Sequence, residues 1–270
     1  MSVREVAEIP TAPVAVPAAV TELAGEDAIT PVWRNELGGL TFRLDARDGG
    51  TRYVKWVAHG TPELDLAAEA ERLTWAGSWV SVPRVLGRGT DAAGAWLVTA
   101  AVPGRSAVDA RWLADPVTAA TAIGQGVRRF HDALPVTDCP YRWSVTDRLR
   151  RVEQRLADGE GPKNWAPEHR RLTVAEARAR LAATPPVDRL VVCHGDACAP
   201  NTLLHDDGTF SAHVDLGSLG VADRWADLAV AAWSLDWNHG PGYDHFVYAA
   251  YGVEPDPERI AYYRLLWDLG

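Results

Sequence analysis

The sequence predicts an α+β chain in two parts, a small β-rich N-terminal portion and a larger helical C-terminal one, on three observations. Strand-like segments crowd the chain before Val102, helical periodicity takes over after Pro103 and Gly104, and neither half shows regular β-α-β alternation. With 270 residues, 47% of them hydrophobic, the chain can fill two separate cores.

The elements follow in order. IPTAPVAVPAA at 9 to 19 holds three prolines, which fix φ and remove donors, so residues 1–20 are expected to form a flexible extended arm outside the fold. Strands are predicted at Ala28 to Arg34, Leu40 to Ala46 and Thr51 to Val57, with Arg47 to Gly50 turning a hairpin between the last two. Leu66, Ala70 and Leu73 at helical spacing predict a helix from Pro62 to Ala76, with Pro62 in its first turn. Strands at Arg84 to Gly89 and Ala95 to Thr99 complete the first part. Helices are then expected near 115–133, 146–157, 173–183, 223–236, 243–251 and 257–268, interrupted by short strands at Leu190 to Cys193 and Phe210 to Asp215.

Composition narrows the function classes. The 36 Asp and Glu against 27 Lys and Arg give a net charge of −9, which disfavours nucleic acid and anionic membranes as partners. Three cysteines, Cys139, Cys193 and Cys198, without a CxxC pair, argue against a disulfide framework or a zinc site and for a reducing, cytoplasmic setting. No apolar run is long enough to span a bilayer, and no secretory signal pattern opens the chain. A small-molecule substrate and a monomer or weak dimer are expected.

The chemistry-bearing residues cluster in VVCHGDACAPNTLL, 191 to 204, where an apolar strand runs into a turn presenting Asp196 and, five positions on, Asn201. A carboxylate that orients an attacking hydroxyl and oxygen ligands for Mg²⁺ are what phosphoryl transfer requires. Asp196 suits the first role and Asn201 the second, and Asp215, ahead of Leu216 and Gly217, adds another metal-ligand candidate. In the first part, Lys55 ends a strand and Glu69 lies on the next helix, where an ion pair would aim the ammonium at nucleotide phosphates. Taken singly, Asp196, Asn201 and Asp215 could be turn caps, Lys55 a strand lysine reaching solvent, and Glu69 a partner for Arg72. Their joint order favours function.

At this point the chain resembles the aminoglycoside phosphotransferases of the 3′ type, with similarity to the 3″ type, which have a two-lobed protein-kinase-like fold. The resemblance runs from Ile29 to Leu269 and includes AERLTW at 70–75, VPRVL at 82–86, WLVTAAVPG at 96–104, FHDALPVTDCPY at 130–141, GVADRWADLA at 220–229 and YYRLLWDL at 262–269. It implies ATP and Mg²⁺ as cofactors, an aminoglycoside acceptor phosphorylated by default on its 3′-hydroxyl, and antibiotic resistance as the role. It also implies a nucleotide-binding lobe at 21–102 and a catalytic, substrate-binding lobe at 103–270. Asp196 would be the base, Asn201 and Asp215 the metal ligands, and Lys55 and Glu69 the phosphate contacts. A loop near Asn35 to Leu40, with Gly38 and Gly39, would approach the phosphates, and Thr99, Ala100 and Val102 would form a hinge for adenine. Asp227 would brace the catalytic turn, and His194 would act structurally rather than as a proton shuttle. Cys198 has no histidine placed to activate it.

The sequence departs from the family's pattern where substrate binds. Ser218 and Trp233 stand where the family usually has Arg, and Trp237 and Asn238 where it has acids that meet substrate amines. Asp268 remains as an acid that could meet an amine. Five basic residues, Lys163, Arg170, Arg171, Arg178 and Arg180, outnumber Glu168 and Glu176 between 161 and 180. These changes predict a poorer and narrower aminoglycoside kinase, or one preferring a less cationic acceptor. The alternatives are a kinase for another natural product or sugar, and a nucleotide-binding pseudokinase.

Overall fold

The computed structural model describes residues 9–35 and 37–270; residues 1–8 of the expected arm and Glu36 of the expected phosphate loop lie outside the described residues. The chain divides into two compact units, one of the described residues up to Ser78 with Val82–Val102, the other of Trp79–Ser81 with Pro103–Gly270. The class is α+β.

In the first unit, α1 (Ala18–Ala24) precedes five strands, β1 (Ala28–Arg34), β2 (Leu40–Asp45), β3 (Thr51–Ala58), β4 (Val85–Thr90) and β5 (Gly94–Ala100), with α2 (Leu66–Ala76) between β3 and β4. The sheet order is β1-β2-β3-β5-β4, antiparallel throughout. The arm assignment needs correction. Residues 9–17 are non-helical, as three prolines dictate, but the chain turns helical after Pro17 and buries Val20 with Phe42, Leu44, Val54 and Val98. Apolar residues 19, 20 and 24 find a sheet face that local sequence could not reveal.

The start of α2 also differs. Pro62 lies outside the helix, and Glu63 takes a left-handed backbone, φ 63°. Asp65 is the N-cap, its side chain accepting from the Ala68 amide, a cap of about 1 kcal/mol. The later start matters because Glu69 then falls in the first turn, on the buried face.

In the second unit, β6 (Arg105–Ser106), β8 (Thr202–Leu204) and β9 (Phe210–His213) form one small sheet, and β7 (Leu190–Cys193) pairs with β10 (Gly220–Asp223) in another. Its helices are α3 (Ala110–Leu113), α4 (Pro116–Ala133), α5 (Val145–Ala157), α6 (Val174–Ala182), α7 (Trp225–Asn238), α8 (Asp244–Tyr251) and α9 (Pro257–Leu269). From Trp225 to Leu235 every residue of α7 is buried, so this helix is the centre around which α4, α8 and α9 pack. The predicted strand ending at Asp215 stops at His213, and the helix predicted from 223 begins at Trp225 because Asp223 is the last residue of β10. Among the described residues, no helix is long and apolar enough to cross a membrane.

Candidate active site

In the second unit, β7 delivers its chain end to a turn built by glycine geometry. Gly195 has φ +86°, and a Cβ there would lie 2.3 Å from the Ser218 carbonyl oxygen, so a side chain is excluded twice over. The turn is tied to α7. The His194 amide donates to Asp227 Oδ2 at 2.6 Å and the Gly195 amide to Oδ1 at 2.9 Å. Burial alone would raise the Asp227 carboxyl, but the hydrogen bond and charge of His131, the charge of His194 and the Gly195 amide together hold it below the usual carboxylate range.

Asp196 follows at the half-exposed end of the turn. Asn201 Nδ2 donates to the Asp196 carbonyl at 2.9 Å and to its Oδ2 at 3.1 Å, and the Cys198 thiol meets Oδ1 at 3.0 Å. Between them a single 3₁₀ turn, Ala199–Asn201, is fixed by the Ala199 amide donating to Ser234 Oγ on α7 at 2.8 Å. The Val214 amide donates to the Asn201 carbonyl at 3.0 Å, and the next residue, Asp215, has a left-handed backbone, φ 65°. A non-glycine residue held there is a strained position of the kind that collects at functional sites. Asp196, Asn201 and Asp215 are thus brought together. His194 bonds through Nε2 to the Val214 carbonyl at 2.9 Å, a structural tie.

In the first unit, Lys55 lies inside β3 and not at its end as expected, and it donates to both carboxylate oxygens of Glu69 at 2.8 and 3.0 Å, with Glu69 buried and Lys55 half-buried. Thr41 and Leu97 flank Lys55 in the sheet. The loop after β1 is shaped by Asn35, whose Oδ1 accepts the Leu37 and Gly39 amides at 3.1 and 2.7 Å. Gly38 has φ +83°, and a Cβ on Gly39 would fall 2.8 Å from Asn35 Nδ2. Thr99 and Ala100 end β5, with Val102 two residues beyond.

The residues expected to meet the acceptor fare differently. Trp237 is 46% exposed and stacks on Trp267, centroids 5.4 Å apart, with Trp233 tilted against it at 4.6 Å. Asn238 donates through Nδ2 to the Ser234 carbonyl at 2.7 Å. Asp268 is a correction. It is buried, it accepts the Ala166 amide at 3.0 and 2.9 Å, and it meets His169 Nδ1 at 2.7 Å, so it braces the 166–169 loop and does not offer itself to an amine. The basic run at 161–180 is partly committed as well, Arg178 to Glu153 and Arg170 to the Trp165 carbonyl. Trp233 is buried against His169 and carries Arg264 over its ring at 5.7 Å.

Sequence reasoning missed four residues. Ser234 and Asp236 sit in an apolar helical run with no motif of their own, yet Ser234 fixes the 3₁₀ turn. Burial raises the Asp236 carboxyl, and the charges of Asp244 and Glu168 add to this against the opposing effect of Arg264. His131 and Tyr251 reach Asp227 as a chain, Tyr251 hydroxyl to His131 Nδ1 at 3.0 Å and His131 Nε2 to Asp227 Oδ2 at 2.9 Å. The FHDALP segment contained the signal for His131.

The profile of the phosphotransferase enzyme family matches residues 34–263. A streptomycin 3″-kinase of Streptomyces griseus is 40% identical over 267 residues, 88% of this chain and 95% of its own. An aminoglycoside 3′-phosphotransferase of Streptomyces fradiae is 38% identical over 227 residues, 79% of this chain and 84% of its own. Among solved structures, an aminoglycoside-3′-phosphotransferase of type VIII superposes with a TM-score of 0.80 at 31% identity, covering 93% of this chain and 97% of that one. The aminoglycoside phosphotransferase APH(3″)-Id of Streptomyces rimosus, in complex with ADP and streptomycin, gives 0.72 at 31% identity with the same coverage of both chains.

His213, beneath the turn, supplies a pH test. Burial first, and the neighbouring His194 second, push it down to about 3. The folded state therefore keeps His213 neutral where the unfolded chain binds a proton, so stability should rise with pH between about 3 and the ordinary histidine value near 6.5, by up to about 1.4 kcal/mol per pH unit. Denaturation midpoints measured from pH 4 to 7 should climb in the native protein and climb less in His213→Leu; equal slopes would show that His213 is not held neutral.

Proposed function

Because the chain belongs to the phosphotransferase enzyme family, we propose that it transfers the γ-phosphoryl group of ATP to a hydroxyl of an aminoglycoside, by default the 3′-hydroxyl, with Asp196 as the base. The observation that carries this reading is the grip of Asn201 on Asp196, beside Asp215 in its left-handed conformation. Asp196 orients the hydroxyl and accepts its proton as the oxygen attacks in line. Residues 21–102 act as the nucleotide-binding lobe and 103–270 as the catalytic one. Lys55, aimed by Glu69, meets the α and β phosphates, the loop with Gly38 and Gly39 brings backbone amides to them, and Thr99, Ala100 and Val102 meet adenine.

The donor set fits Mg²⁺. Asn201 uses its Nδ2 on Asp196, which leaves its amide oxygen as a hard ligand, and Asp215 adds a carboxylate. When bound, the ion neutralises phosphate charge. Asp227 keeps the turn in place, and no covalent intermediate on the protein is involved.

A streptomycin 3″-hydroxyl is the second reading, favoured by the 40% identity to a streptomycin 3″-kinase over nearly its full length. Incubation with ATP, Mg²⁺ and kanamycin, neomycin or streptomycin, read by mass spectrometry for one added phosphate and by NMR for its position, tests both. If none of the three gains a phosphate, the proposal fails.

Asp196→Ala should lower kcat by on the order of 10² or more while leaving ATP affinity nearly intact. Near-normal turnover in a folded variant would remove Asp196 from the mechanism. Asp215→Asn should move the Mg²⁺ titration midpoint to higher concentration, because an amide replaces a charged ligand of a hard cation; an unmoved midpoint means Asp215 does not bind the metal.

Acceptor recognition has a mixed character. Trp237 offers a flat apolar face, Asn238 is engaged by its own helix, and Asp268 is sealed away. Acceptors whose cations are all ammonium groups are therefore held weakly. Trp237→Glu should raise kcat/KM for kanamycin and neomycin up to about fivefold, the worth of one exposed ion pair of up to about 1 kcal/mol. A value unchanged or lower for both would place Trp237 outside the acceptor site.

A further inference from the structure

We propose that Ser234 and Ser106 are positioning residues for Asn201, two hydroxyls that clamp the 3₁₀ turn Ala199–Asn201 and so fix the amide oxygen offered to Mg²⁺; this rests on the reading of Asn201 as a metal ligand. The turn cannot hold itself. It has three residues, and its own backbone bonds are the Asn201 amide to the Cys198 carbonyl at 3.0 Å and the Thr202 amide to the Ala199 carbonyl. A run so short fixes several dihedrals for each bond it makes, so its place is set by what it is tied to. Pro200 contributes no donor, because its ring nitrogen carries no hydrogen.

The remaining backbone groups of the turn are satisfied from outside it, the Asn201 carbonyl by the Val214 amide and the other two by serine hydroxyls. The Ala199 amide donates to Ser234 Oγ on α7 at 2.8 Å, and that hydroxyl donates onward to the Ala231 carbonyl at 2.9 Å. The direction is forced, since an amide can only donate and the serine hydrogen is left for Ala231. Ser106 of β6 donates through Oγ to the Pro200 carbonyl at 2.9 Å, and the amide of the next residue, Ala107, bonds the Thr202 carbonyl at 2.8 Å. Two elements far apart in sequence, β6 and α7, thus grip consecutive residues of one turn.

The side chain of Asn201 passes this placement on. Its Nδ2 is committed to the Asp196 carbonyl and Oδ2, so the direction of its amide oxygen follows from where the turn sits. Mg²⁺ demands ligand oxygens close to octahedral positions, and a turn that drifts weakens the ion before it weakens the nucleotide. The two ties differ in weight. Ala199 and Ser234 are wholly buried, so loss of the Ser234 hydroxyl strands an amide that water cannot reach. Ser106 and Pro200 are half-buried, and a carbonyl there can turn to water instead.

The test uses the full chain with Ser234→Ala, Ser106→Ala and Ser106→Thr, the last of which keeps the hydroxyl. Two readouts need no acceptor: hydrogen exchange of peptides covering 198–204 in metal-free protein, and ADP binding by calorimetry as Mg²⁺ is titrated. Ser234→Ala should speed exchange in 198–204 and raise the Mg²⁺ midpoint on the order of tenfold, the low end for residues standing behind a metal ligand. Ser106→Ala should do the same more weakly, about threefold, while Ser106→Thr stays within about twofold of the native protein. ADP affinity without Mg²⁺ should be native in all three. If Ser234→Ala does not fold, the two Ser106 variants decide on the same readouts. Unchanged exchange in the alanine variants, faster exchange with an unmoved Mg²⁺ midpoint, or an equal shift in Ser106→Thr and Ser106→Ala overturns the clamp alone. A native protein whose ADP affinity ignores Mg²⁺ overturns the metal reading of Asn201, and this proposal with it.

Discussion

Asp227 accepts the amides of His194 and Gly195 with its two carboxylate oxygens, and the place of every catalytic candidate in the second unit follows from that pair of bonds. The bonds require a buried carboxylate to stay ionised, which burial opposes and the surrounding donors make possible. They also require a glycine at 195, because the turn passes against the Ser218 carbonyl with φ +86°. Once the turn is set, Asn201 can reach back to Asp196, and Ser234 can fix the 3₁₀ turn between them.

The centrality of α7 is the structural counterpart of this dependence. The helix is buried over most of its length, as its apolar run demands, and it carries Asp227, Ser234 and Trp237. One rigid element therefore supplies the brace of the turn that presents Asp196, the tie of the segment that follows and the exposed indole proposed to meet the acceptor. In the first unit the Lys55–Glu69 pair plays a comparable part on a smaller scale, joining β3 to α2 through a glutamate that is almost wholly buried. A buried glutamate is costly to leave without a cation, which helps keep the ammonium in place.

The site was more legible than its surroundings. Asp196, Asn201 and Asp215 stood out because their spacing is local, within two short segments, and the structure brings those segments together through the Val214 amide and the Asn201 carbonyl. Asp268 looks free in one dimension because it lies near the chain end, whereas the Ala166 amide and His169, about a hundred residues away, occupy both of its oxygens. The two-residue β6 and three-residue β8 left no periodic trace, since strands so short exist only through their partners. Pro62 reads as a helix start on a general preference, and the Asp65 side chain overrules it by supplying the cap.

By itself the sequence determined the α+β class, the positions of the major strands and helices, and the order of lysine, glutamate, aspartate, asparagine and aspartate, because periodicity and motif spacing are properties of neighbouring residues. Only the tertiary structure decided which acids face solvent and which are sealed, that Val20 belongs to a core, and that His131 and Tyr251 stand behind Asp227. The polar outcomes among these depend on hydrogen bonds between residues 96 to 120 positions apart, as from His131 to Asp227 and from Tyr251 to His131. No local pattern encodes such pairs. They form because a buried polar atom must find a partner, and the fold dictates which one is within reach.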